Sequence, residues 1–190
     1  MNLLRYLRIR NPWYCRLEVL AAVALLTHVL VVWAIPYVIM AALSASRPAE
    51  ERGTGPLLPP MTDATSRRVV MPSPDLLYAL CGYDLSRGPL RVRADPAASG
   101  YRGYWSIALY GANSDNFFVV NDRQAKGQPV DLWLVGPQKS GQTPNGPPGT
   151  QTVQAPFARG LLLMRVLVSD YERDKSVVEA ARRSLRCKPA

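Results

Sequence analysis

Between Val19 and Leu43 the chain carries no Asp, Glu, Lys or Arg, and only Thr27, His28 and Pro36 interrupt its apolar and aromatic residues. At about 1.5 Å of rise per residue, a helix over 19–43 crosses the roughly 30 Å hydrocarbon layer of a bilayer with some tilt. Buried helices of soluble proteins are seldom so long without a charge, so the run reads as a transmembrane helix. A start signal precedes it. Asn11 suits a helix cap, and Pro12 suits the first helical position, where a missing N–H costs nothing. Trp13 and Tyr14 then fall where an interfacial aromatic belt belongs.

The flanking charges give an orientation. Arg5, Arg8, Arg10 and Arg16 precede the run against Glu18 alone, whereas Arg47 and Arg52 beyond it are matched by Glu50 and Glu51. The positive-inside rule makes residues 1–18 a cytoplasmic basic segment and exports everything after the helix. The expected location is a single pass through the inner (cytoplasmic) membrane, with a periplasmic C-terminal domain. A cleaved signal peptide is the rival reading, with Ser44-Ala45-Ser46 as a site, but its apolar region is normally only about 7–15 residues. Leu3 to Ile9 mixes Leu and Tyr with Arg, which suits either the inner membrane surface or a topology signal alone.

His28 is the only histidine in the chain. That excludes most Ser-His-Asp, Cys-His and multi-histidine metal chemistry. Its place within the apolar run makes it a candidate contact to a partner helix, with proton handling as the sharper alternative. No second ionisable residue of the run accompanies it, so this chain alone makes no proton relay.

Beyond the helix, residues 44–70 hold Pro48, Pro56, Pro59, Pro60, Gly53 and Gly55, the composition of a linker. Residues 71–190 then read as one domain. With 17 Pro and 13 Gly in 190 residues the chain is unsuited to a helical bundle, and 48% hydrophobic content rules out wholesale disorder. Pro74 to Cys81 is expected to form a short helix capped by Ser73. Short strands follow: Leu90 to Arg93, Tyr104 to Tyr110, Phe117 to Val120, Leu132 to Val135, Val153 to Ala155 and Gly160 to Val168. Asn113 to Asn116 reads as a hairpin turn, and Gly136 to Gly149 as an irregular loop. Asp170 to Leu185 reads as a helix with an Asp cap and an Arg-rich end. The expected fold is mainly β: an exported antiparallel sandwich or jelly roll with short flanking helices, not parallel βαβ units.

The cysteines divide by compartment. Cys15 precedes the helix and stays reduced in the cytoplasm; Cys81 and Cys187 follow it into oxidising space and form an even pair. A bridge between them is worth up to about 4–5 kcal/mol by loop entropy. Free buried thiols are the alternative, and a zinc site lacks an exported histidine.

Cys81-Gly82-Tyr83-Asp84-Leu85-Ser86, followed by Gly88-Pro89-Leu90-Arg91-Val92, resembles the opening motif of a bacterial family of small membrane proteins. That family carries domain of unknown function twelve fifty-four. Tyr104-Trp105-Ser106 with Tyr110, Asn121-Asp122-Arg123, Ala158-Arg159-Gly160 and Cys187-x-Pro189 follow in order, and the resemblance covers residues 17–189. It implies a single-span, envelope-facing protein, often encoded beside a second small membrane protein of a related family. It brings no activity and no catalytic residues.

The net charge of +9 at first points to an anionic partner. Nucleic acid is a poor one, because the domain lies across the membrane from it. Nucleophile elbows, phosphate-cradling loops and metal-ligand spacings are missing from the sequence, so no cofactor or metal is expected. Asn113, Asp115, Asn116, Asn121, Asp122 and Arg123 surround one expected hairpin. Turn formation and an Asp122–Arg123 ion pair account for them. A glycosidase-like pairing of Asp115 with Asp122 or Asp131, or a calcium site, is the sharper alternative. Tyr101, Tyr104, Trp105 and Tyr110 divide between core packing and an aromatic binding face. Arg91, Arg93 and Arg102 suit a solvated basic edge or a phosphate-bearing ligand. The expected role is a non-enzymatic partner or scaffold subunit of a membrane complex, in contact with the bilayer and another small membrane protein. A module binding cell-wall glycan or anionic lipid is second, and a carboxylate enzyme third. Tyr104, Trp105, Arg91, Asp122, Arg123 and His28 are the candidate ligand or partner residues.

Overall fold

The structure, a computed structural model, describes residues 12–45, 55–63, 65–67, 72–137 and 146–190. The chain divides into two compact units, Met1–Val38 and Ile39–Ala190. Asn11, Arg5, Arg8, Arg10, the Leu3–Ile9 segment, Arg47 and Arg52 lie outside the described residues, as does most of the Gly136–Gly149 loop.

Helix α1, Pro12–Ala45, begins at the expected proline and runs unbroken past Pro36. Its stretch Trp13–Leu43 is long and apolar enough to cross a membrane, and by length and composition also passes as a signal sequence. Leu20, Leu25 and Trp33 are each 65% exposed. That uncovered apolar surface is what water disfavours and lipid accepts. Arg16 lies over the Trp13 ring, and the Trp33 and Tyr37 rings, one helical turn apart, meet tilted by 44° with centroids 5.2 Å apart.

Among the described residues, eight strands frame the domain that follows. In chain order they are β1 (Leu76–Asp84), β2 (Leu90–Ala94), β3 (Trp105–Gly111), β4 (Asn116–Asn121), β5 (Val130–Val135), β6 (Gln151–Gln154), β7 (Arg159–Leu167) and β8 (Arg186–Pro189). One sheet has the order β1-β7-β3-β4 and the other β6-β5-β2-β8. Within the sheets only β3–β4 and β5–β6 are sequence neighbours, so every other connection passes from one sheet to the other. This crossing draws both sheets into one core, which includes Leu77, Ile107, Leu109 and Met164 from the first and Val92, Leu132 and Leu134 from the second.

Two expectations are corrected. Residues 74–81 are not a helix: β1 begins at Leu76 and pairs along its whole length with β7. Leu77, Ala79, Cys81 and Tyr83 are buried while the residues between them are not, which is the period of a strand. The backbone N–H of Ser73, expected to begin the helix, donates instead to the Tyr78 hydroxyl at 3.0 Å. The sheets are also not wholly antiparallel, because β5 and β6 run parallel. Parallel neighbours need a connection of about a dozen residues or more, which the long Gly/Pro-rich loop provides.

Helix α2, Asp122–Ala125, is a single turn held by a capping box between Asn121 and Gln124. Helix α3, Tyr171–Arg183, starts where expected, with Asp170 accepting from the Arg173 N–H. It buries Val178, Ala181 and Arg182, and Leu185 beyond it enters the core. Residues 55–63 belong to the stretch expected to be linker. Here Leu57 bridges to Leu80 on β1, and Leu58 and Met61 pack against the core.

Candidate functional site

The frame of the domain is covalent as well as apolar. Cys81 near the centre of β1 is bonded to Cys187 on β8, with Cα atoms 6.6 Å apart at a sequence separation of 106. Each alternates inward between outward neighbours. With Cys187 held inside, Arg186 and Lys188 necessarily face solvent.

That alternation builds the outer face of the second sheet. Arg91 stands opposite Trp133 on β5 and Lys188 on β8; Arg93 stands opposite Asp131 and Arg186. Arg91 donates to both oxygens of Asp131, Nε to Oδ1 at 2.9 Å and a terminal nitrogen to Oδ2 at 2.8 Å. Arg93 adds a longer contact of 3.2 Å to the same carboxylate. The Arg91 hydrogen bond holds the Asp131 carboxyl below its usual range, against a smaller opposing effect of burial. Arg186 donates to the carbonyls of Arg183 and Leu185, fastening the end of α3 to the start of β8.

The first sheet holds the other candidates, and it separates them. Trp105 is only 5% exposed and lies in a buried row with Leu77 and Val166, whereas Tyr104 is 42% exposed. They do not form one aromatic face. Tyr101 is buried beside them, its hydroxyl donating to the carbonyls of Leu167 at 2.6 Å and Tyr104 at 3.0 Å. Burial pushes that phenol up to about 12. Asp122 and Arg123 sit in α2, at the far end of β4 from the hairpin. No ion pair joins them among the described residues. One Asp122 carboxylate oxygen is buried without a hydrogen-bond partner. Arg91 belongs to the other sheet altogether, and His28 lies on α1.

The expected carboxylate pair also comes apart. Asp115 is in the hairpin turn, where Asn113 donates to it at 2.5 Å, while Asp122 follows the last residue of β4. A strand of this length separates its ends by roughly 17 Å, well beyond the 5–10 Å of paired glycosidase carboxyls. Asp131 is on the second sheet, engaged by Arg91 and Arg93. No group of three or more potential metal-ligating residues occurs among the described residues. A shallow hollow of about 330 Å³ is lined by Phe117, Pro137, Gln154, Ala155 and Pro156, none of which titrates.

A family model described as Protein of unknown function (DUF1254) matches residues 57–189. The chain belongs to that family. The match begins at the residue that bridges to β1 and ends at the last residue of β8, so it spans the β domain and leaves α1 outside. Within the DUF1254 domain, the motif pieces noted in the sequence meet in space. Tyr83 pairs with Gly160 and Asp84 with Arg159 across β1–β7. The Leu85 N–H donates to the Ala158 carbonyl at 2.7 Å, and the Tyr83 hydroxyl donates to the Tyr110 carbonyl at 2.9 Å. A Cβ at Gly160 would run into that hydroxyl and that carbonyl, so the position requires glycine. Asp84 accepts from Ser86 and from Arg159, and these bonds lower its carboxyl. Asn121 caps α2, and Cys187 makes the disulfide. These motif residues secure a corner, a cap and a cross-link rather than lining a cavity.

No curated protein matches the chain. The crystal structure of the VPA0106 protein from Vibrio parahaemolyticus is similar with a TM-score of 0.53 and 12% identity, over 62% of this chain and 28% of that one. An uncharacterized protein from Burkholderia cenocepacia aligns at TM-score 0.38 and 19% identity, over 72% of this chain and 34% of that one. The chain thus spans about a third or less of either protein's length, and the Vibrio likeness is one of fold.

The residues that sequence reasoning passed over are Arg186, Lys188 and Arg182. The signal for the first two was the alternation in Arg186-Cys187-Lys188, with the same cation–apolar–cation pattern as Arg91-Val92-Arg93. Arg182 gave no signal, because one more arginine at a helix C-terminus is ordinary.

Proposed function

We propose that this chain is a single-pass protein of the cell envelope that acts as a non-enzymatic partner or scaffold subunit of a membrane complex. In this reading α1 is an uncleaved anchor with its N-terminus in the cytoplasm, and the two sheets stack as the layers of an exported sandwich. The observation that carries it is the exposure of α1. Large side chains such as Leu20, Leu25, Trp33 and Val38 are uncovered along its length, a surface suited only to lipid or another apolar helix. The disulfide supports an oxidising compartment for the domain. His28 is the one histidine of that helix, within its stretch 19–43 that carries no Asp, Glu, Lys or Arg, and the natural place for a polar contact within the membrane plane.

Crosslinking in native membranes, followed by identification of the captured chain, tests the proposal. One small membrane protein recovered in fixed ratio is the expected result, with His28→Leu reducing recovery while the chain stays in the membrane. A chain that behaves as a lone monomer in its native membrane overturns it.

A further inference from the structure

The outer face of the second sheet carries its cations in opposed pairs. Arg91 stands against Lys188 and Arg93 against Arg186 across the β2–β8 ladder. Like charges placed directly opposite weaken a ladder. Asp131 offsets them only in part, taking Arg91 in a two-pronged bond and Arg93 at longer range. Four cations against one carboxylate leave a surplus of three, one-third of the chain's net +9. Edge protection explains some of this, since basic residues on an edge strand discourage pairing with other chains, and β8 is an edge. It does not explain Arg91 and Arg93, because β2 lies inside the sheet between β5 and β8.

We infer that Arg91, Arg93, Arg186 and Lys188 form a face that docks on anionic phospholipid headgroups of the membrane that α1 crosses. The charge of the occupant follows from the surplus. Its identity as a lipid surface follows from connectivity. Residues 46–54 separate α1 from Gly55, and nine residues reach at most about 30 Å, so the domain is held close to the headgroups. A cation near an anionic surface raises partitioning roughly fivefold, and a surplus of three gives about a hundredfold. That is weak for a free domain and enough to orient one whose effective concentration at the surface is already high. The inference rests on the anchored reading.

The test places the full chain in nanodiscs of phosphatidylcholine, with or without phosphatidylglycerol, and follows acylation of its lysines. Lys188 reacts about fivefold more slowly when phosphatidylglycerol is present, while Lys126 and Lys175, which lie off this face, are unchanged. High salt removes the protection, and Arg93→Gln, a variant checked for an intact disulfide and an unaltered melting curve, weakens the docking about fivefold and so reduces it. Equal Lys188 rates in the two lipids, or equal slowing of Lys126, Lys175 and Lys188, overturns the inference. Protection by soluble polyphosphate but not by lipid also overturns it, and assigns the face to a phosphate polymer. A chain that does not enter the discs overturns the anchored reading itself, and this inference with it.

Discussion

Cys187 stands opposite Val92 in the β2–β8 ladder and is bonded to Cys81 on β1, so one residue is both a ladder partner and the link between the two sheets. β8 is only four residues long, and the bond fixes it where few hydrogen bonds would. The variant Cys81→Ala/Cys187→Ala should lose about 3–5 kcal/mol of stability in denaturant titrations, as expected for a cross-link closing a long loop. Hydrogen exchange should show β8 opening before β7.

Arg182 is only 3% exposed and gathers three parts of the domain. It donates to Glu179 with both oxygens engaged, and to the carbonyls of Pro59 and Tyr78. Burial alone would raise the Glu179 carboxyl, but the Arg182 hydrogen bond and charge outweigh it and leave it lowered. Arg182→Leu takes the two shortest bonds from that carboxylate, leaving it Tyr171 and Arg183, and strips the Pro59 and Tyr78 carbonyls of their buried donor. It should cost about 3 kcal/mol, releasing residues 55–63 to proteolysis. Arg159→Ala breaks a pair whose arginine is 75% exposed and should cost less than about 1 kcal/mol. Comparable losses for the two variants would contradict this ranking.

At Gly160 the Tyr83 hydroxyl and the Tyr110 carbonyl occupy the space of a side chain. The carbonyl belongs to the backbone and cannot swing aside. Gly160→Ala should therefore destabilise by about 2–3 kcal/mol, measured by thermal and chemical unfolding. Gly82→Ala, on the same β1–β7 ladder and with open space around it, should be far milder.

The pH profile has two flanks. Asp131, Asp84 and Glu179 are held below their ordinary values in the fold. Their contribution is present above the unfolded values near 4 and is lost as pH falls through the lowered ones. Tyr83 and Tyr101 are raised, chiefly by burial. Their contribution is complete below the unfolded value of 10 and is lost as pH climbs, for Tyr101 toward about 12. Stability should be flat from about pH 5 to 9 and fall on both sides. Tyr101→Phe should lower the plateau by about 1–2 kcal/mol and soften the alkaline fall. An alkaline limb unchanged in Tyr101→Phe would contradict that assignment.

The helix could be read from the sequence because one property, charge-free length, decides it. Most strands could be read because their alternation is visible, as in Leu90 to Arg93. β1 could not, since Leu76, Tyr78 and Leu80 are apolar on the outward side too, and the doubled pattern imitates a helix. The parallel β5–β6 pair is invisible to periodicity, which carries no strand direction. The basic face joins β2 to β8 across most of the domain's length, and no local pattern reports such a pairing. The candidate residues were scattered for the same reason: Tyr104 and Trp105 are neighbours in sequence but divide between surface and core, and Asp115 and Asp122 end up at opposite ends of one strand.

Thiol accessibility of the full chain in intact cells tests most directly whether an anchored domain stands in oxidising space. A membrane-impermeant maleimide should label Cys81 and Cys187 only after reduction, and Cys15 only after the membrane is opened. Labelling of Cys15 from outside would contradict the orientation, and labelling of Cys81 and Cys187 without reduction would contradict the cross-link.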